Sequence, residues 1–98
     1  MIRHILLIKF KDIAAPSDIN QVKDLFEAIP NKINGVISVE WGINNSPENL
    51  AKGYTHSVFM TFKKEDDRQR YLPHPEHDAL KATFLPLIED LVVFDYQT

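Results

Sequence analysis

From Ile2 to Lys11 the chain alternates with a period of two. Ile2, His4, Leu6, Ile8 and Phe10 share one face of the strand this spacing predicts, and Ile5 and Leu7 keep the middle of the other face apolar, so the strand is expected to be central. The period then lengthens. Ser17 in "APSD" offers a helix N-cap, and Ile19, Val22, Phe26 and Ile29 follow at helical spacing until Pro30, which is expected to stop the element. After the turn "NKING", Ile37, Val39, Trp41 and Ile43 alternate with Ser38, Glu40, Gly42 and Asn44, which marks a second strand. The polar loop "NNSPENLAKG" leads into a third strand, Tyr54 to Phe62, with Tyr54, His56, Val58, Met60 and Phe62 on one face, and a loop between adjacent strands predicts a hairpin.

Lys64 to Tyr71 is charged and helix-permissive, and "LPHP" breaks it because each proline lacks a backbone donor and drives its predecessor out of helical dihedrals. Pro75 suits the first position of a new helix with His74 as the flanking cap residue. His77, Leu80, Phe84, Leu87 and Leu91 then form one stripe, and Pro86 should kink or end the helix early. "LVVFDY" reads as a fourth strand. The order βαββαβ with right-handed crossovers predicts one ferredoxin-like α+β domain over residues 1–98, with both helices on one face of an antiparallel sheet. The first strand, Leu91 to Phe94 and the row from Ile37 to Ile43 carry more apolar surface than one helical layer covers. A homodimer joined through its sheet faces, closing a barrel of about eight strands, would cover the remainder.

Composition narrows the function classes. The 98 residues have a net charge of −3, and the cationic side chains are scattered with no basic stripe, which argues against nucleic acid as a partner. Without cysteine there is no disulfide, thiolate nucleophile or cysteine-ligated metal. Charges interrupt the apolar N-terminal run before it reaches a signal-peptide core or a membrane span, so a soluble cytoplasmic protein with no membrane partner is expected.

The candidate chemistry lies in the histidines. His4 and His56 sit on apolar strand faces and His77 on the apolar helix stripe, so three imidazoles and the phenol of Tyr71 are expected around one pocket between sheet and helices. Each taken alone reads as a hydrogen-bonded core residue, and His74 alone as a cap. Convergence would make them a site, because several inward imidazoles need water or a ligand to complete their hydrogen bonds. In the first helical turn the dipole disfavours a charged His77, which suits a neutral base. A metal at His74-x-x-His77-Asp78 is disfavoured because His74 is expected outside the helix. No nucleophile elbow or glycine-rich phosphate loop is present, and neither metal nor cofactor is expected.

Taken in order, "RHILLIKFK", "VEWG", "GYTHSVFMTF", "YLPHPEH" and "LVVFDY" resemble the stress-responsive α/β-barrel domain family, which includes a plant polyketide cyclase. The resemblance runs from His4 to Tyr96 and implies a ferredoxin-like protomer, a homodimer, and a pocket under the helices. It further implies His77 as catalytic base and Tyr71 as the group that orients a substrate carbonyl. His4 and His56 would line the same pocket, and His74 joins them as a candidate substrate-binding residue. Two readings stay open. One is a homodimer that binds a hydrophobic small molecule and does acid–base chemistry on a carbonyl compound, as a cyclase or lyase. The other is a non-catalytic stress-associated dimer whose histidines are packed polar residues. A cofactor-degrading monooxygenase of similar architecture is disfavoured by its different motifs.

Overall fold

A computed structural model describes residues 1–98. In chain order it contains β1 (Ile2–Phe10), α1 (Pro16–Glu27), α2 (Ile29–Lys32), β2 (Val36–Ile43), β3 (His56–Phe62), α3 (Glu65–Tyr71), α4 (Pro75–Phe84) and β4 (Ile88–Gln97). The strands form one antiparallel sheet in the order β2-β3-β1-β4, with β1 central, and the helices cover one face. This is the ferredoxin-like arrangement. Ile2, Leu6 and Ile8 of β1 and Val58, Met60 and Phe62 of β3 meet Val22 and Phe26 of α1 and Leu80 and Phe84 of α4 in one core. No helix is long and apolar enough to cross a membrane.

Three local expectations need correction. Ser17 is not the N-cap of α1. Ala15 is, because Pro16, which has no N–H to leave unsatisfied, takes the first helical position, and the Asp18 carboxylate accepts the Ala15 N–H at 3.0 Å. Pro30 does not stop a helix. α1 ends at Glu27, and Pro30 lies in the first turn of the short α2, where a missing donor costs nothing. β3 begins at His56 rather than Tyr54, after the Tyr54 and Thr55 N–H groups bond to Ala51 and Ile8 carbonyls. Pro86 acts as expected: α4 ends at Phe84 and Leu85–Leu87 tighten into a 3₁₀ turn before β4.

The surplus apolar surface divides between the two faces. Val39 and Trp41 pair with Met60 and Val58 and pack against the helix-side core, while Ile37 falls at an irregularity in the β2–β3 register. On the far face, Leu7, Val92, Phe94 and Tyr96 remain 40, 37, 62 and 43% exposed. They belong to adjacent strands, with Leu7 opposite Val92, Ile5 opposite Phe94 and Arg3 opposite Tyr96, so they form one patch.

α3 is anchored from below. Gly35 has φ +92°, and a side chain there would collide with the carboxyl of the buried Asp67. That carboxyl accepts the Lys64 N–H at 3.2 Å at the start of α3, pairs with Arg70, and thereby fixes the helix that carries Arg68 and Tyr71.

Candidate functional site: a hollow under α3 and α4

Tyr71 ends α3, and Pro73 and Pro75 force the chain to turn before α4 begins. His74 caps α4 by accepting the Glu76 N–H on its own Nδ1 at 3.0 Å. One turn further on, the His77 Nδ1 lies 2.8 Å from the Leu72 carbonyl oxygen. A carbonyl oxygen can only accept, so Nδ1 carries the proton and Nε2 is the basic nitrogen. Burial lowers the His77 pKa below the ordinary imidazole value, outweighing the opposing effect of the Leu72 hydrogen bond. The result is a neutral base of defined tautomer.

The His77 ring lies against Tyr71, with centroids 4.3 Å apart, and the His4 ring lies 6.2 Å from Tyr71. All three line a hollow of about 220 Å³ whose remaining walls are mostly aliphatic and aromatic, including Leu6, Phe26, Leu80, Phe84, Leu91 and Val93. Lys81, one helical turn beyond His77, is the only other polar lining residue. Burial drives the Tyr71 phenol well above its usual pKa, so it remains a proton donor. Its hydroxyl finds no hydrogen-bond partner in the chain, yet no buried side-chain oxygen or nitrogen is left unpartnered. The hydroxyl therefore opens into the hollow.

His4 is held from β4. Asp95, its partner in the β1–β4 register, accepts from His4 Nδ1 at 2.7 Å through Oδ1. The other carboxylate oxygen, Oδ2, accepts from Arg68 Nη1 at 3.2 Å, and Arg68 in turn pairs with Glu65 one turn earlier on α3. Asp95 and Arg68 escaped the sequence reading. Asp95 did leave a signal, since it continues the inward row of Leu91 and Val93 and is the one acidic residue there. Arg68 left none, as one charge among several on a charged helix.

The structure brings His4, Tyr71 and His77 together and leaves His56 and His74 elsewhere. Along β3, His56 pairs with Ile8 whereas Met60 pairs with His4, a four-residue offset of roughly 13 Å. The expected ring of three imidazoles is thus two. His56 packs between Phe10 and Trp41, with centroids at 5.1 and 5.4 Å, and its Nδ1 meets Thr55 Oγ1 at 2.7 Å. It borders a separate depression with Leu7, Ile43 and the residues of the β2–β3 loop. His74 lies beside Lys32, Ile33, Asn34 and Arg70, outside the hollow, because its ring is committed to capping α4. No cluster of three or more His, Asp or Glu side chains is arranged to hold a metal ion.

This fold and site can be set beside known proteins. The sequence profile of the stress responsive A/B barrel domain matches residues 2–98. The chain belongs to that family. This A/B barrel domain is 32% identical over 98% of its length to the stress-response A/B barrel domain-containing protein HS1 of Arabidopsis thaliana, of which it covers 88%. It is 30% identical over 97% of its length to olivetolic acid cyclase of Cannabis sativa, of which it covers 94%. Among solved structures it resembles the hydroxynitrile lyase of Passiflora edulis, with a TM-score of 0.91, 26% identity and coverage of 97% and 90% of the two chains. A dimeric ferredoxin-like protein of Bacteroides fragilis superposes with a TM-score of 0.80 and 28% identity, covering 99% of this A/B barrel domain and 95% of that chain.

Proposed function

We propose that the protein is a cytoplasmic homodimer that binds an apolar carbonyl compound in the hollow and performs proton-transfer chemistry on it. The observation that carries this reading is the bare Nε2 of a neutral His77 beside the unpartnered hydroxyl that the buried Tyr71 presents to an apolar hollow. A carbonyl compound placed with its oxygen at Tyr71 and its α-carbon at His77 would lose an α-proton to Nε2. The C–H electron pair becomes the enolate C=C bond, the carbonyl π pair moves onto oxygen, and the Tyr71 O–H donates to the developing charge. The enolate carbon can then attack a second carbonyl in the same molecule and close a ring, with His77 returning its proton to the new alkoxide. A cyclase and a hydroxynitrile lyase among the relatives support acid–base work beside a C–O group. The open hollow supports this reading over packed, purely structural histidines, which would be surrounded by side chains.

The exposed patch of Leu7, Val92, Phe94 and Tyr96 is the surface we assign to the second copy, and the ferredoxin-like relative of Bacteroides fragilis is itself dimeric. Phe94→Glu should then yield a folded monomer by light scattering.

Proton abstraction is tested with a medium-chain 3-oxoacyl thioester in heavy water, following deuterium uptake at the α-carbon by proton NMR. Uptake well above that of the His77→Ala variant is expected. Equal rates for the two proteins would end the proposal.

A further inference from the structure

Tyr71 closes α3 and His77 stands in the first turn of α4, so the joint between the two helices sets the distance between the two groups. Of the residues between them, Pro73 and Pro75 have no N–H to give. His74, held between these prolines, makes three of the joint's hydrogen bonds. Its N–H donates to the Tyr71 carbonyl at 3.0 Å and its carbonyl accepts the Asp78 N–H at 3.0 Å. Both belong to the backbone and are open to any residue at this position. The third belongs to the ring alone: His74 Nδ1 accepts the Glu76 N–H at 3.0 Å. Since Pro75 donates nothing, that N–H is the first donor of α4.

We propose that His74 is a positioning residue for the Tyr71–His77 pair, acting through its cap on the Glu76 N–H and not through contact with the ligand. The proposal rests on the reading of that pair as the reacting groups and adds what holds them in register. Without an acceptor at position 74 the Glu76 N–H turns to water and the first turn of α4 frays. His77, the third residue of that turn, moves with it, while Tyr71 stays fixed in the core at 1% exposure. The bond from His77 Nδ1 to the Leu72 carbonyl then loses its geometry, and with it the direction of Nε2. The His74 ring itself borders a separate depression with Lys32, Ile33, Asn34 and Arg70, which keeps it off the hollow.

His74→Ala removes the acceptor, whereas His74→Asn removes the imidazole and keeps an oxygen suited to capping. In the deuterium-uptake assay with the 3-oxoacyl thioester, kcat of His74→Ala should fall about tenfold, within what a displacement of about 1 Å costs, with KM changed less than about twofold. His74→Asn should return to within about threefold of the wild type. An Asn variant as impaired as Ala would make the ring itself the working group, and an Ala variant as fast as the wild type would make the cap irrelevant. Either result overturns the proposal. Nuclear magnetic resonance tests the same claim without turnover. The wild type should show a nitrogen–nitrogen coupling across the hydrogen bond from the Glu76 amide to His74 Nδ1, and an Overhauser contact between the Tyr71 and His77 rings that weakens in His74→Ala and returns in His74→Asn. Absence of the coupling, or a ring contact unchanged in His74→Ala, overturns the proposal. If the wild type exchanges no α-proton, the reading of the pair as reacting groups fails while the resonance experiment still decides the role of His74. The coupling is read in the wild type, so it stands even if a variant does not fold.

Discussion

His77 and His56 are both half-buried imidazoles with pKa values lowered by burial, and both face the helix side of the sheet. Their surroundings separate them. His56 is flanked by Phe10 and Trp41 and spends its Nδ1 on the adjacent Thr55, whereas His77, on the wall of the hollow beside a phenol, has one nitrogen tied to Leu72 and the other unpartnered. Burial alone therefore does not mark a reactive histidine. What marks it is a second nitrogen with space in front of it and a complementary donor within reach.

The contrast is broken most severely by comparing rates. His77→Ala should lower α-proton exchange by about a hundred- to ten-thousand-fold, the usual contribution of a positioned base, while His56→Ala should leave it nearly unchanged. If the two variants lost activity equally, the assignment of the base would fall. Tyr71→Phe keeps the ring against Phe62 and removes only the donor, so kcat should drop by about a hundredfold with little change in melting temperature. A comparable loss of stability instead would make Tyr71 a packing residue.

Stability should reverse the ranking of the histidines. His56→Ala removes a ring held between two aromatic side chains and should cost about 1–2 kcal/mol in urea unfolding, whereas His77→Ala, facing a hollow, should cost less than about 1 kcal/mol. Gly35→Ala tests the scaffold of the hollow. Its positive φ and the collision with Asp67 should destabilise the fold by about 3 kcal/mol and displace α3, disturbing Tyr71 before His56.

The smallest effect is on pH dependence. Both imidazoles bind protons more weakly in the folded chain than in the unfolded one, so the unfolded state carries more protons and stability rises with pH. The gain spans the window from the lowered folded values up to the ordinary value of about 6.5 and is lost as pH falls through it. Melting curves should be shallower in pH for either His→Gln variant, but only His77→Gln should alter the acid limb of the exchange rate. That limb lies below the ordinary imidazole pKa, since the base stays neutral until its lowered value is reached.

Local pattern determined much of this protein. The alternation of Ile2 to Phe10, the stripe through Leu80 and Phe84 and the prolines around His74 act over a few residues, so periodicity and missing donors state them outright, and with them the element order and the outward apolar patch. The pairing of Tyr71 with His77 was also legible, because only a short turn separates them. Register and side-chain reach were decided by the tertiary structure. A face assignment puts His4 and His56 on the same side of the sheet, but only the pairing of β1 with β3 shows that they stand at different distances along it. Asp95 reaches His4 across 91 positions, and Arg68 reaches Asp95 across 27, through hydrogen bonds that exist only once β4 lies beside β1 and α3 has folded onto the sheet. Periodicity records which way a side chain points, and a donor or acceptor gains its meaning only when distant strands bring its partner within bonding distance.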